Sequence, residues 1–419
     1  MIRDVEWVAN EWRDRARSAI LNRLNEATAG QALSLHNKWP EYGETPLVML
    51  DTMARALGVR TIGVKDEARR FNLSSFKVLG VSHAVLSYLV DRFGLTPSQI
   101  LTDGVPQRLT LTTATDGNHG SAVAWVARRL GLSSVIFVPT GVSAAQVDRM
   151  QQFGAEVRQL TASYDDTVDR AMSEAERQGW ILVQDTAGQG SEAMPVWVME
   201  GYLTMALESL NQWHREVSEP PTHVFLQAGV GSMAAAVTAL LAHIFGETGP
   251  TIVVVEPTAA APFYASAQTG DGSARVVRGP HTTVMTGLAC GRVNPLGWQI
   301  LRSWATVFAA CPDDIAARGV RILSNPLPGD RRILAGESGA VTTGLAVSLF
   351  DRPTDSLRQL RRVLGIDHGA RILLFNTEGP ADFRMTRRII WDGHLPYRDE
   401  EAVSECEEED GAIDLGPVP

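Results

Sequence analysis

Residues 223–246, HVFLQAGVGSMAAAVTALLAHIFG, run from a short β-branched and aromatic stretch through a glycine turn into an apolar helical pattern. The turn sits at Gly229 and Gly231, and the spacing predicts a helix from about Met233 to Phe245, closed by Gly246. The same alternation recurs along the chain. TIGVKDE, RLTLTTA, SSVIFVP, AEVRQLT, WILVQDT, TIVVVEP and RILLFNTEG read as further strands, most ending in small or polar residues and separated by longer helical patterns. Strand then helix, repeated, implies an α/β protein with mainly parallel sheets covered on both faces, and with ligands at the carboxyl ends of the strands.

Composition bounds what such a fold can do. With 419 residues and 44% hydrophobic content the chain is long enough for two domains with proper cores. The amino-terminal MIRDVEWVAN lacks the apolar core of a signal peptide, and no stretch approaches the ~18 apolar residues of a membrane span, which places the expected protein in the cytoplasm with no membrane partner. Cys290, Cys311 and Cys406 show no Cys-x-x-Cys or Cys/His spacing, so neither a disulfide framework nor a metal site is expected. Residues 399–419 hold nine acids and no Lys or Arg, leaving the rest of the chain near −1 from a total of −10. That tail has the composition of a solvated, disordered segment, and no clustered basic residues suit a nucleic-acid partner. The double proline of EPPTH, Pro220 and Pro221, punctuates the interior, with a domain junction expected before it. An early helix, WRDRARSAILNRLNEA, and the segment KWPEYGETPL are expected to precede the first strand and to pack on the later domain.

The chain has only three lysines, Lys38, Lys65 and Lys77, against thirty-five arginines. Arginine cannot form an imine, so a chain that uses it nearly everywhere draws attention to the positions where an amine is kept. Lys77 follows the polar turn NLSS and opens a helix in which Val81, Val85, Leu89 and Phe93 recur at helical spacing. Helix amino-terminal charge and the apolar neighbours Phe76 and Val78 predict a lowered amine pKa and a nucleophile suited to Schiff-base chemistry.

Three loops complete the candidates. Backbone amides of Gly229, Val230, Gly231, Ser232 and Met233 at a helix amino terminus form an anion nest for phosphate. Gly229-x-Gly231-x-x-Ala234, followed by Glu256 at the end of the next strand, equally fits a relaxed dinucleotide fingerprint, so NAD and another phosphorylated cofactor both stay open on the loop alone. In TTATDGNHG, Thr115, Gly117 and His119 surround Asp116, a candidate general base beside a bound carboxylate, while Asn118 offers a hydrogen bond to a cofactor oxygen; an ordinary capping turn accounts for the same residues, and His119 reads as a packed histidine. In VQDTAGQGSEAMP, Asp185 is a loop carboxylate able to pair with a substrate ammonium or to cap a turn.

Taken together, KDEARRFNLSSFKVLG, ATDGNHG, QAGVGSMA, GLACG, GESGA and LLFNTEG occur in the order and approximate spacing of the fold-type II pyridoxal-phosphate enzymes. Over nearly the whole chain except the acidic tail, they most closely resemble the diaminopropionate ammonia-lyases. The resemblance implies a two-domain α/β enzyme, with 1–74 and 201–398 as a discontinuous cofactor-binding domain, 75–200 as a smaller substrate-side domain and 399–419 as tail. It favours pyridoxal 5'-phosphate over NAD at the glycine loop. By position, Lys77 matches the Schiff-base lysine and the base for one enantiomer, and Asp116 the second, opposed base. Asn118 matches the contact to the cofactor's phenolic oxygen, Thr377 the partner of its ring nitrogen, and Asp185 an acid of the substrate pocket. Thr115, Gly117 and His119 fall with Asp116 on the substrate side.

The implied reaction is α,β-elimination of L- or D-2,3-diaminopropionate to pyruvate and two ammonia, in a homodimer that takes a small amino acid as its partner. Two departures bear on substrate. Gly188-Gln189-Gly190-Ser191 replaces a usual aromatic–acid–Gly–aromatic run, and Ser121-Ala122 replaces Arg-Gly. Elimination or replacement on a bulkier β-substituted alanine is therefore the alternative.

Overall fold

The computed structural model describes residues 4–187, 192–351 and 354–396. Eleven strands lie among the described residues: β1 Glu6–Ala9, β2 Leu47–Met49, β3 Thr61–Asp66, β4 Thr110–Ala114, β5 Ser133–Pro139, β6 Glu156–Leu160, β7 Ile181–Leu182, β8 His223–Gln227, β9 Thr251–Pro257, β10 Val307–Cys311 and β11 Arg371–Asn376. They form two sheets. The larger has the order β1-β10-β9-β8-β11-β3-β2 and the smaller β6-β5-β4-β7. All pairings are parallel except at the edges of the larger sheet, where β1 runs against β10 and β2 against β3. The smaller sheet is built wholly from residues 110–182, between the two runs of chain that supply the larger.

The central strands read as continuous apolar runs because both their faces are covered. β8, β10 and the interior of β9 are buried throughout. One crossing sets the position of the first candidate residue. Helix Lys77–Phe93 lies against helix Ala193–Glu216 at Gly80 and Gly201, where a Cβ on Gly80 would come within 2.6 Å of the Tyr202 ring and one on Gly201 within 2.3 Å of the Leu79 carbonyl oxygen. Only hydrogen at these two positions lets the backbones approach so closely. Of the helical stripe expected from the sequence, Val81, Val85 and Leu89 are fully buried there and Phe93, at the helix end, is partly buried.

Three expectations change. The first strand is β1, ahead of the early helix, and β1, β2 and β10 are additional to the strands expected from the sequence. The early helix is broken: Ala19–Arg23 is capped by Ser18, and Asn25, accepting from the Thr28 amide, starts a second helix, Glu26–His36, which packs mainly on Ala193–Glu216. WILVQDT keeps only a two-residue strand, since beyond Val183 its residues turn to face the cleft. The expected domain boundary at residues 200 and 201 lies within helix Ala193–Glu216.

No single described helix is long and apolar enough to cross a membrane. Among the described residues no three His, Cys, Asp or Glu side chains gather as a metal site.

Candidate active site

A cleft of about 680 Å³ lies between the sheets, lined by loops that leave the carboxyl ends of β4, β8 and β11 and by the start of helix Lys77–Phe93. Lys77, Asp116, Asn118, His119, Asp185, residues 229–233 and Thr377 all line it.

Lys77 is the first residue of its helix, and its Nζ donates to Asp185 Oδ2 at 2.5 Å. This overturns the expected lowering of its pKa. Burial does work against the ammonium, but the Asp185 carboxylate, helped by Tyr202 and Asp116, outweighs it and holds the amine well above its ordinary value. Asp185 is correspondingly held below the usual carboxylate range: burial raises it, and Lys77 and His119 overcome that rise. In this state Asp185 pairs with the chain's own amine.

Asp116 behaves differently. Burial raises its carboxyl to about 7 against the pull of Lys77, so it exchanges a proton near neutrality. Its neighbours Thr115 and Gly117, expected on the substrate side, stay out of the cleft. The Thr115 hydroxyl accepts from the amides of Gly117 and Gly120 at 2.9 and 3.0 Å, bracing the turn, and the Gln146 side chain covers Gly117. Asn118 opens the next helix and donates Nδ2 to Glu378 Oε2. His119 Nε2 meets the Val183 carbonyl at 2.9 Å, so that nitrogen carries the hydrogen, and Nδ1 is left without a partner in the cleft. Burial lowers the ring's pKa and keeps it neutral.

The glycine turn presents its amides as a set. None of the N–H groups of residues 229–233 donates to a protein acceptor among the described residues, and they lie at the amino end of the buried helix Ser232–Phe245. Buried amides without acceptors are rare and mark a binding site for an anion. Gly231 has φ +89°, and a Cβ there would meet the Phe263 ring at 2.2 Å, so this turn admits only glycine. Ser232 contributes its amide alone, because its hydroxyl donates to the Asp185 carbonyl and accepts from Asn294 Nδ2. Thr377 Oγ1 accepts from Gln227 Nε2 at 2.9 Å, which leaves its own hydrogen to donate into the cleft. Gln227 Oε1 also faces the cleft without a partner among the described residues. An amine, an anion nest of five amides and a hydroxyl on the far side together fit the phosphate, aldehyde and ring nitrogen of pyridoxal phosphate.

Glu256 does not serve a dinucleotide. Its two oxygens accept the amides of Phe263 and Tyr264 at 2.9 and 2.7 Å, capping helix Pro262–Gln268 away from the cleft.

Several lining residues carried no role in the sequence. Tyr164 begins helix Tyr164–Gln178 and accepts from Gln184 Nε2, and burial keeps its phenol protonated. Cys290, Ser338 and Glu378 lie inside the quoted motifs GLACG, GESGA and NTEG, which was the available signal; nothing in its surroundings singled out Tyr164. The substituted loop 188–191 lies outside the described residues.

Residues 38–354 match the family model for "Pyridoxal-phosphate dependent enzyme". The chain is 40% identical over 374 residues to the diaminopropionate ammonia-lyase of Escherichia coli, a match covering 88% of this chain and 93% of that protein. To the Salmonella typhimurium enzyme of that name it is 39% identical over 384 residues, covering 90% and 95%. The E. coli enzyme in complex with an aminoacrylate-PLP azomethine reaction intermediate superposes with a TM-score of 0.86 at 38% identity, covering 94% of this chain and 98% of that one. A tomato (Solanum lycopersicum) threonine deaminase, 19% identical with a TM-score of 0.66 over 88% and 89% of the two chains, shares the fold.

Proposed function

The chain belongs to the pyridoxal-phosphate-dependent enzymes and, within them, to the diaminopropionate ammonia-lyase family, and from that premise we propose how its cleft works. The enzyme is a carbon–nitrogen lyase that takes 2,3-diaminopropionate and water to pyruvate and two ammonia. Its cofactor is pyridoxal 5'-phosphate, which when bound supplies the electron sink for cleavage at Cα and Cβ. The observation that carries the reading is the lysine amine facing five open amides across one cleft.

In this assignment Lys77 Nζ would hold the cofactor, the amides of residues 229–233 its phosphate, Asn118 its phenolic oxygen and the Thr377 hydroxyl its ring nitrogen. Lys77 removes the Cα proton from one face, and Asp116, with its carboxyl near 7, does so from the other for the opposite enantiomer. Asp185, 2.5 Å from Lys77, holds the proton at that nitrogen and meets the substrate ammonium once Lys77 is engaged. His119, neutral with a free Nδ1 lone pair, receives a hydrogen bond from the substrate side. Helix Ala193–Glu216 belongs with the larger sheet in the domain division we favour, the smaller domain running from residue 75 to the loop before it. A homodimer in the cytoplasm completes the proposal, supported by likeness to bacterial members of the family.

The test is direct. Purified protein given pyridoxal phosphate acquires a visible band, borohydride fixes the cofactor to Lys77, and Lys77→Ala abolishes that fixation. With L- or D-diaminopropionate the holoenzyme releases two ammonia per pyruvate; release from neither enantiomer, with turnover of another β-substituted alanine, overturns the substrate.

A further inference from the structure

A second chamber, of about 1,150 Å³ and part open to solvent, adjoins the catalytic cleft. The two share Asp116 and Tyr164 as lining residues. The wall between them is completed by the short turn after Met285, whose residues alternate: Gly287, Leu288 and Cys290 face the cleft, Thr286 and Ala289 the chamber. The chamber therefore lies directly beyond the catalytic acid.

Its lining mixes apolar residues such as Val142, Ala162 and Pro280 with polar ones. Thr140, Ser163, Thr282 and Thr283 bring hydroxyls, and no Lys or Arg is among the lining residues. Gln146, only 8% exposed, is the best-placed donor. Its Oε1 is committed to the amide and hydroxyl of Ser143 as part of a capping box, while its Nε2, packed over Gly117 beside Asp116, donates to no acceptor among the described residues. An amide donor at the chamber wall with no protein acceptor favours a neutral carbonyl oxygen, and a chamber without Lys or Arg disfavours a carboxylate.

We propose that this chamber is a subsite for the group carried on the substrate's β-nitrogen, and that the enzyme accepts diaminopropionates whose β-amino group bears a small neutral acyl or carbamoyl substituent. The inference rests on the elimination reading above and extends its substrate class. The step balances without a co-reactant other than water. The Cα proton leaves to the base, its bonding electrons form the Cα–Cβ double bond, and the Cβ–N bond breaks with its pair going to nitrogen, which takes one proton. A carboxamide or urea departs through the chamber, and the 2-aminoacrylate left behind hydrolyses to pyruvate and one ammonia. The carboxyl of Asp116, held near 7, stands at the wall to protonate the departing nitrogen.

The holoenzyme is assayed for pyruvate on diaminopropionate and on its β-N-acetyl, β-N-carbamoyl and β-N-succinyl derivatives, with urea measured for the carbamoyl case. The expected result is turnover of the acetyl and carbamoyl compounds at kcat/KM within about tenfold of diaminopropionate, and at least ~100-fold rejection of the anionic succinyl compound. Turnover of diaminopropionate without either neutral derivative overturns the inference and leaves the ammonia-lyase reading intact; turnover of none overturns the reading beneath it. Equal use of the succinyl compound refutes the neutral subsite. Gln146→Glu keeps the capping acceptor and removes the donor, so the carbamoyl-to-diaminopropionate ratio of kcat/KM falls by ~3–10-fold. An unchanged ratio, in protein that retains its cofactor band, removes Gln146 from the subsite.

Discussion

Replacing Asp185 by Asn separates two views of Lys77. Removing one partner of a buried ion pair costs about 3–5 kcal/mol. Here the Lys77 side chain is 19% exposed and Asn keeps an acceptor oxygen, so about 2–3 kcal/mol is the appropriate scale. At 1.36 kcal/mol per unit, the ammonium loses about two units of stabilisation. The neutral amine at pH 8 then becomes up to about 100-fold more abundant, and pyridoxal phosphate is captured by apo-protein between about 10 and 100 times faster. Stopped-flow growth of the visible band at pH 8 measures this. A rate unchanged or slower in Asp185→Asn would refute the claim that the carboxylate sets the charge on Lys77.

The same variant has a stability signature. With entropy of ~2.1 cal/mol/K per residue, the apo variant melts roughly 2–3 °C lower. Lys77 has a raised folded pKa, so its contribution is present below lysine's ordinary value and is lost only as pH rises through the folded one. Asp185 has a lowered folded pKa, so its contribution is present above the ordinary carboxylate value and lost as pH falls through the folded one. The deficit of the variant is therefore flat from about pH 6 to 9 and shrinks in acid.

Gly231→Ala places a methyl 2.2 Å from the Phe263 ring at φ +89°, adding a backbone cost of about 1–2 kcal/mol to the clash; pyridoxal phosphate affinity, read by titration of the visible band, falls at least ~100-fold, and wild-type affinity would remove the turn from the phosphate site. Asp116→Asn lowers kcat/KM for D-diaminopropionate far more than for the L-enantiomer, and abolishes the limb that rises with pH through about 7 as the carboxylate forms; survival of that limb would assign it to another group. Arg70→Met leaves Glu67 and Glu208 buried without their guanidinium, costing about 3–5 kcal/mol; Met/Leu replacement of Arg70 and Glu67 together, which keeps the Lys65–Glu208 pair, is less damaging than Arg70→Met alone in thermal melts.

What was legible in the sequence followed from chemistry carried by single loops. The glycine turn, the TDGNHG turn and the lysine at a helix start each announce their geometry locally, and the fold brings all three to one cleft. Edge and late strands escaped because their signals are short: Glu6–Ala9 and Leu47–Met49 are four and three residues, and Val307–Cys311 directly follows a helix ending at Trp304. Tyr164 escaped because SYDDTVDRA reads as an ordinary polar helix start, and its side chain reaches the cleft only through tertiary packing. The charge of Lys77 was misjudged for a related reason. Helix position and neighbours in sequence speak to desolvation, but the carboxylate that decides the matter is 108 residues away.

The loop that delivers Lys77 shows how a reactive group is held without being buried in a rigid strand. Between β3 and the helix start, Phe71, Asn72 and Ser74 all adopt positive φ, at 51°, 60° and 62°. For residues with a Cβ this conformation costs roughly 1–2 kcal/mol each. Three of them in four positions persist only if the surroundings over-determine them. Arg70, fully buried at the start of the loop, donates to Glu67, Glu208, Thr45 and the Gly43 carbonyl, and Lys65 joins the same carboxylate of Glu208 at 2.7 Å. At the other end the Phe76 amide bonds to Thr377 and the Gly379 amide to Ser74, stitching the loop to the residues after β11 that face the cleft. Lys65, the second retained lysine, is thus a structural cation of this cluster, and its presence keeps lysine scarcity from identifying a catalytic amine on its own. What distinguishes Lys77 is the pairing of a strained, doubly anchored backbone with a side chain that reaches into the cleft and meets Asp185 there.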